Sequence, residues 1–247
     1  MRMTDVFRAL GPIDLRNVRR DELLAWVMFL PILLALIMRL LVPWLSGALW
    51  NRFGFDLGPY YPLLLSYFII TMFPATFGTV IGFLLLDERD EGTLTALRVT
   101  PLSMTNYLLY RVSLPMALTF IVIFLAFPIA NLGRLDLPAI LVAALAAMPL
   151  APLFALLLAG FAANKVQGFA VIKAVGGILL VVPLFGFFVQ SPLQWAFGLL
   201  PTFLPMKVYW VLEAGAAFPW VQLLLALAYQ ALLLGLLLRR FNSVLRQ

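Results

Sequence analysis

The chain contains no cysteine and no histidine. Disulfide frameworks, thiolate or imidazole metal centres and Cys/His catalysis are therefore excluded. Charge is scarce: 11% of the 247 residues are Asp, Glu, Lys or Arg, against roughly a quarter in soluble domains. No GxxxxGK[ST] loop occurs, nor any Gly-Lys pair. The chain therefore lacks the backbone cradle that such a loop offers to ATP. What remains is apolar, with 64% hydrophobic residues and a mean hydropathy of +1.04. That balance identifies a membrane protein.

A helical span needs about 20 apolar residues. Six runs meet the requirement: 24–45, 62–86, 108–130, 138–163, 168–190 and 219–238. They predict an all-α, polytopic fold and a single transmembrane domain over 1–247. Residues 1–23 carry acids and bases throughout and have no apolar stretch before a cleavage site, so no signal peptide is expected. Basic residues set the orientation. With both termini cytoplasmic, thirteen lie inside, while Arg52, Arg134 and Lys207 lie outside and Arg39 falls within the first span. The net charge of +6 is thus a topology signal, and no nucleic-acid partner is expected.

The N-terminal segment reads as an amphipathic helix lying on the inner leaflet. Val6, Leu10 and Ile13 share helical spacing, while Arg8, Arg16, Arg19 and Arg20 gather elsewhere. Gly11-Pro12 is expected to break it in two. Gly78 and Gly82 in span two form a GxxxG spacing, and Ala147, Ala151, Ala155 and Ala159 repeat four apart in span four. Both patterns permit close helix packing. Asn164–Gln167 is read as a tight cytoplasmic turn. Residues 191–218 are too apolar for a solvated loop, and Pro192, Pro201 and Pro205 cut them too short to span. One or two short outer-leaflet or re-entrant helices are expected there, with Trp195, Tyr209, Trp210 and Trp220 in the outer aromatic belt.

The segment 87–103, DERDEGTLTALRVTPLS, is the most unusual connection. Span two ends in Asp87, Glu88, Asp90 and Glu91, relieved by Arg89. Gly92 permits a change of direction, and Thr93 can cap a short helix over about 93–99. That helix shows Leu94 and Leu97 on one side, and Pro101 ends it. Ser103 can cap the next span. Exposed leucines beside carboxylates suggest a docking surface, since anionic lipid repels acids.

This stretch resembles the membrane subunit of type-two ATP-binding-cassette (ABC) exporters, the type V fold. The residues that carry the likeness are Glu88, Glu91-Gly92-Thr93-Leu94, Leu97 and Thr100-Pro101-Leu102-Ser103, and the resemblance makes these, with Arg98, the docking candidates. The likeness extends to the basic N-terminal helix, the six spans and the apolar connection before span six. Asp14–Asp21, Pro31 and Arg39 further resemble the small permeases described as fluoroquinolone exporters. The resemblance implies that 87–103 is a coupling segment whose helix seats on a separate ATPase subunit. It also implies a second permease subunit, forming a homo- or heterodimer, and two ATPase copies. This chain would then be no enzyme by itself and would bind no cofactor, with ATP and Mg on the partner. The family's substrate path runs along spans two and five, where candidates are Met72, Phe73, Thr76, Phe77, Val80, Leu180, Leu184, Phe187 and Phe188, with Arg39 as a possible anion contact.

The expected substrate is a hydrophobic or amphipathic, drug-like molecule moved out of a bacterial or archaeal cell. A polysaccharide or lipid permease is the alternative. A secondary transporter is the second alternative, disfavoured because the six runs contain no Asp or Glu. A membrane enzyme is disfavoured because the only carboxylate cluster, Asp87–Glu91, encloses Arg89.

Overall fold

The computed structural model describes residues 3–20, 22–92 and 104–244. Among the described residues there is no strand. Among the same residues, six helices are long and apolar enough to cross a membrane: Phe29–Phe53, Gly58–Asp90, Asn106–Ala130, Leu137–Phe161, Lys165–Phe187 and Trp220–Ser243. The all-α, six-span reading stands.

The elements are α1 (Met3–Arg20), α2 (Glu22–Phe53), α3 (Tyr61–Leu65), α4 (Phe73–Asp90), α5 (Met104–Ala130), α6 (Leu137–Ala147), α7 (Leu150–Phe161), α8 (Lys165–Val181), α9 (Phe203–Glu213) and α10 (Trp220–Val244). The expected break at Gly11-Pro12 does not occur, and α1 is one helix through Pro12. A proline removes one hydrogen bond and pushes on one carbonyl, and the buried attachment of Asp14 described below holds the following turn in place. Span one is longer than 24–45. Pro31 and Pro43 sit inside α2, which runs on until Gly54 turns to φ +64 and its N–H caps the Trp50 carbonyl at 2.9 Å.

Span two is one helical rod from Gly58 to Asp90, but its turn over Ser66–Met72 is a π-helix. Pro74 explains the irregularity, because it cannot donate to the turn before it. Hydroxyls take up nearby carbonyls: Thr71 donates to Tyr67 O at 2.7 Å and Thr76 to Met72 O at 2.8 Å. Span four is also interrupted, at Met148-Pro149 between α6 and α7, where Pro149 and Pro152 each lack an N–H. The presumed turn Asn164–Gln167 is the start of α8. Asn164 Oδ1 accepts from Gln167 N at 3.0 Å, and Gln167 Oε1 accepts from Ala163 N at 2.8 Å. This reciprocal pairing is a capping box displaced by one residue from its usual form.

Spans two and four form the centre. Their most apolar stretches are 83% and 67% buried, against 17% for spans one, five and six. The glycine pattern of α4 and the alanine pattern of α7 meet each other. A Cβ on Gly78 would lie 2.3 Å from Ala151 O, and one on Gly82 would lie 3.1 Å from Ala155 O. Small residues on both sides let the two backbones touch.

Residues 192–213 fold as a 3-10 helix (Pro192–Leu199) followed by α9. Two members of the expected aromatic belt belong elsewhere. Tyr209 and Trp210 are buried in the core, with Tyr209 against Phe127 (ring centroids 5.3 Å) and Trp210 against Phe187 (5.2 Å). Trp195 and Trp220 are exposed as expected. Burying α9 inside protein gives its rings more contact than a headgroup layer offers.

Candidate functional site

Helix α4 ends in four charged residues, and consecutive residues on a helix point about 100° apart. Asp87, Glu88 and Arg89 therefore address three different neighbours. Asp87 pairs with Lys165 at the start of α8, at 3.0 Å. Glu88 accepts from Arg111 Nη2 and from the Tyr107 hydroxyl, both on α5. Arg89 reaches the carbonyls at the end of α7, at 2.8 Å to Ala162 O and 2.5 Å to Ala163 O. Those are among the carbonyls that a helix end leaves unpaired, and a cation there also meets the negative end of the helix dipole.

Arg111 is the centre of this arrangement. It is 2% exposed, the largest fully buried side chain described. Its Nη1 bonds Asp14 Oδ2 on α1 at 2.7 Å, and its Nε donates to the Tyr107 hydroxyl oxygen at 3.2 Å. Tyr110 donates to the same Asp14 oxygen at 2.7 Å. The guanidinium also lies over the Tyr107 and Tyr110 rings, 5.4 and 5.5 Å from their centroids. A buried arginine is tolerated only when paired and hydrogen-bonded, and here two carboxylates and the Tyr107 hydroxyl do this. The result joins three chain segments that are distant in sequence: α1, the end of α4 and the start of α5. The last two are the stems of segment 93–103, which lies outside the described residues together with Thr93, Leu94, Leu97, Arg98, Thr100, Pro101, Leu102 and Ser103.

Of the described stem residues, Asp90, Glu91 and Gly92 are exposed, and Gly92 has φ +70, a turn suited to glycine. Glu88, named with the docking residues, faces inward onto Arg111 instead. The remaining candidates do not share one surface. Phe73, Phe77 and Val80 are buried within the subunit, and Met72 and Thr76 are half-buried. Leu180 lines a void of about 30 Å³ between α4, α7 and α8. Leu184 and Phe187 pack on the outer core, while Phe188 is exposed beside Tyr60 (6.3 Å). Arg39 donates to Ile129 O at 3.3 Å, near the end of α5.

The residue pattern named Asp14 only as part of the stretch that carries the resemblance, and it did not single out Tyr107, Tyr110 or Arg111. One signal was available. Tyr107 and Arg111 are four apart at the start of an apolar run, and an arginine inside a span needs a partner. Its counting as a topology charge concealed it. Replacing Arg89 with methionine is expected to cost about 1.5–3 kcal/mol locally. It should loosen the end of α7, read as faster amide exchange over 158–163.

A family profile described as fluoroquinolones export permease protein Rv2686c-like matches residues 14–238. The chain belongs to this family. The matched region begins at Asp14 and includes every residue of the buried cluster. Two Mycobacterium tuberculosis proteins, named fluoroquinolones export permease protein Rv2686c (strain ATCC 25618 / H37Rv) and MT2760 (strain CDC 1551 / Oshkosh), are each 33% identical over 240 residues. The alignments cover 95% of this chain and 93% of each relative. No solved structure matches. In this chain the charged end of α4 and the buried cluster together join α1, α4, α5, α7 and α8.

Proposed function

We propose that this chain is the membrane subunit of an ABC exporter that moves amphipathic, drug-like molecules out of the cell. ATP and Mg would be bound and hydrolysed on a separate ATPase subunit, in two copies. A second permease subunit would complete the pathway in a bacterial cell membrane, with both termini inside. The names of the two Mycobacterium tuberculosis relatives favour a fluoroquinolone-like substrate.

The observation that carries the reading is the anchoring of the stems of segment 93–103. A loop that only connects two spans needs no buried ion pairs at its base. A loop that receives a push from a partner needs rigid stems, so that displacement reaches the spans instead of being lost in bending. Asp87, Glu88 and Arg89 tie one stem to three other helices, and Arg111 ties the second stem to the first and to α1. The absence of a phosphate loop from the sequence supports a separate energy source.

The test is co-purification of an ATPase and efflux of a fluorescent quinolone by cells expressing both subunits. Leu94→Asp with Leu97→Asp should reduce ATPase recovery at least tenfold and abolish efflux, with unchanged permease yield. Unchanged association would overturn the docking assignment. Efflux that follows an ion gradient and ignores ATP depletion would identify a secondary transporter.

A further inference from the structure

A groove of about 220 Å³ lies between α1, α4 and α5. Its walls are Leu15 of α1, Phe77, Val80 and Leu84 of α4, and Leu114 and Leu118 of α5. Among the described residues, its one ionisable wall residue besides Tyr110 is Asp14, and Arg111 and Tyr110 already bond that carboxylate. An apolar slot of this kind is not a stable home for water, which needs polar partners.

Two arginines flank the α1 side of the groove, about 16 Å apart along the helix axis. Gly11 and Leu15 line the groove, and Arg8, Gly11, Leu15 and Arg19 stand at i, i+3, i+7 and i+11 along α1. That spacing keeps them on one helix face. Arg8 and Arg19 are both exposed, and Leu15 between them is 62% exposed. The face thus sets two cations beside an open apolar slot. A Cβ on Gly11 would meet nothing among the described residues within 4 Å, so they leave the mouth open there.

We propose that this groove holds an anionic phospholipid of the leaflet in which α1 lies, with one acyl chain along Leu15, Leu114 and Leu118 above the buried Phe77, Val80 and Leu84, and the headgroup on the α1 face between Arg8 and Arg19. Charge complementarity selects this occupant. A neutral apolar molecule would use the slot but leave the arginines idle, and a free phosphate would use the arginines but leave the slot empty. The proposal concerns lipid binding and holds whether or not the chain works with an ATPase.

Native mass spectrometry of the purified full chain tests it, after reconstitution in equal phosphatidylglycerol and phosphatidylcholine. Wild type is expected to retain one phosphatidylglycerol per chain. Gly11→Leu, which projects a side chain into the mouth where no described residue obstructs it, should reduce retention about tenfold, for roughly the contact of one buried leucine. Arg8→Gln with Arg19→Gln should also reduce it about tenfold, at roughly 1 kcal/mol per arginine near a membrane surface. It should also remove the preference over phosphatidylcholine. A photoreactive acyl chain should label peptides containing Leu114 or Leu118. Equal retention of both lipids by wild type, retention unaffected by Gly11→Leu, or labelling confined to other spans would each overturn the proposal. So would a quinolone displacing the lipid at equal molarity, which would make the groove a substrate site.

Discussion

Arg111→Ala is expected to be the most damaging single substitution in the chain. It would leave Asp14 and Glu88 facing each other in a buried site without their cation. Breaking a buried pair in this way costs about 3–5 kcal/mol. In a chain of this length that corresponds to a fall in melting temperature of roughly 10 °C, readable by tryptophan fluorescence in detergent. Arg111→Lys should recover little. A lysine carries one compact charge and cannot hold Asp14, Glu88 and the Tyr107 oxygen in the fixed fork that the guanidinium provides. The triple change Asp14→Asn, Glu88→Gln, Arg111→Met separates stability from role. Removing all the charges together should restore much of the lost stability. If transport stays absent in a well-folded triple variant, the cluster serves coupling as well as folding. If Arg111→Ala leaves the melting temperature within 1–2 °C of wild type, the buried-cluster description is wrong.

Gly78→Leu should be comparably severe for a different reason. At Gly78 the backbone of α4 touches that of α7, and a Cβ would lie 2.3 Å from Ala151 O and 2.6 Å from Phe154 Cβ. The first obstacle is backbone and cannot rotate away. The two central helices would have to separate, losing contacts along their length. Overpacking a tight site typically costs about 1–3 kcal/mol, and more where nothing can yield. Even Gly78→Ala should lower the melting temperature measurably. Gly235→Leu is the control, because a Cβ there meets nothing within 4 Å. Equal behaviour of Gly78→Leu and Gly235→Leu would rule out the close approach of α4 and α7.

The sequence by itself was enough for the class, the six spans, the family and the turn at Gly92. Each of these rests on a local property: apolar run length, a short contiguous motif, or one residue's backbone freedom. Both small-residue patterns were also visible, but not that they face each other. That pairing depends on how helices separated by some 70 residues are rotated about their axes. The spans' proline irregularities were poorly legible for the opposite reason. Pro12, Pro31 and Pro43 lie within continuous helices, whereas Pro74 goes with a π-turn and Pro149 with an interruption. A proline's local cost is the same in each case, and the surrounding packing decides the outcome.

The charged end of span two depended most on tertiary structure. The sequence presented Asp87, Glu88, Asp90 and Glu91 as one acidic cluster and Arg111 as a topology charge. The fold divides them, because a helix turns each successive side chain to a new neighbour. A carboxylate's role then depends on which cation the neighbouring helix brings to it. For Glu88 that is Arg111, 23 residues further along the chain, which also holds Asp14 from 97 residues back. No local property of either carboxylate encodes those meetings, and only the packing of α1, α4 and α5 creates them.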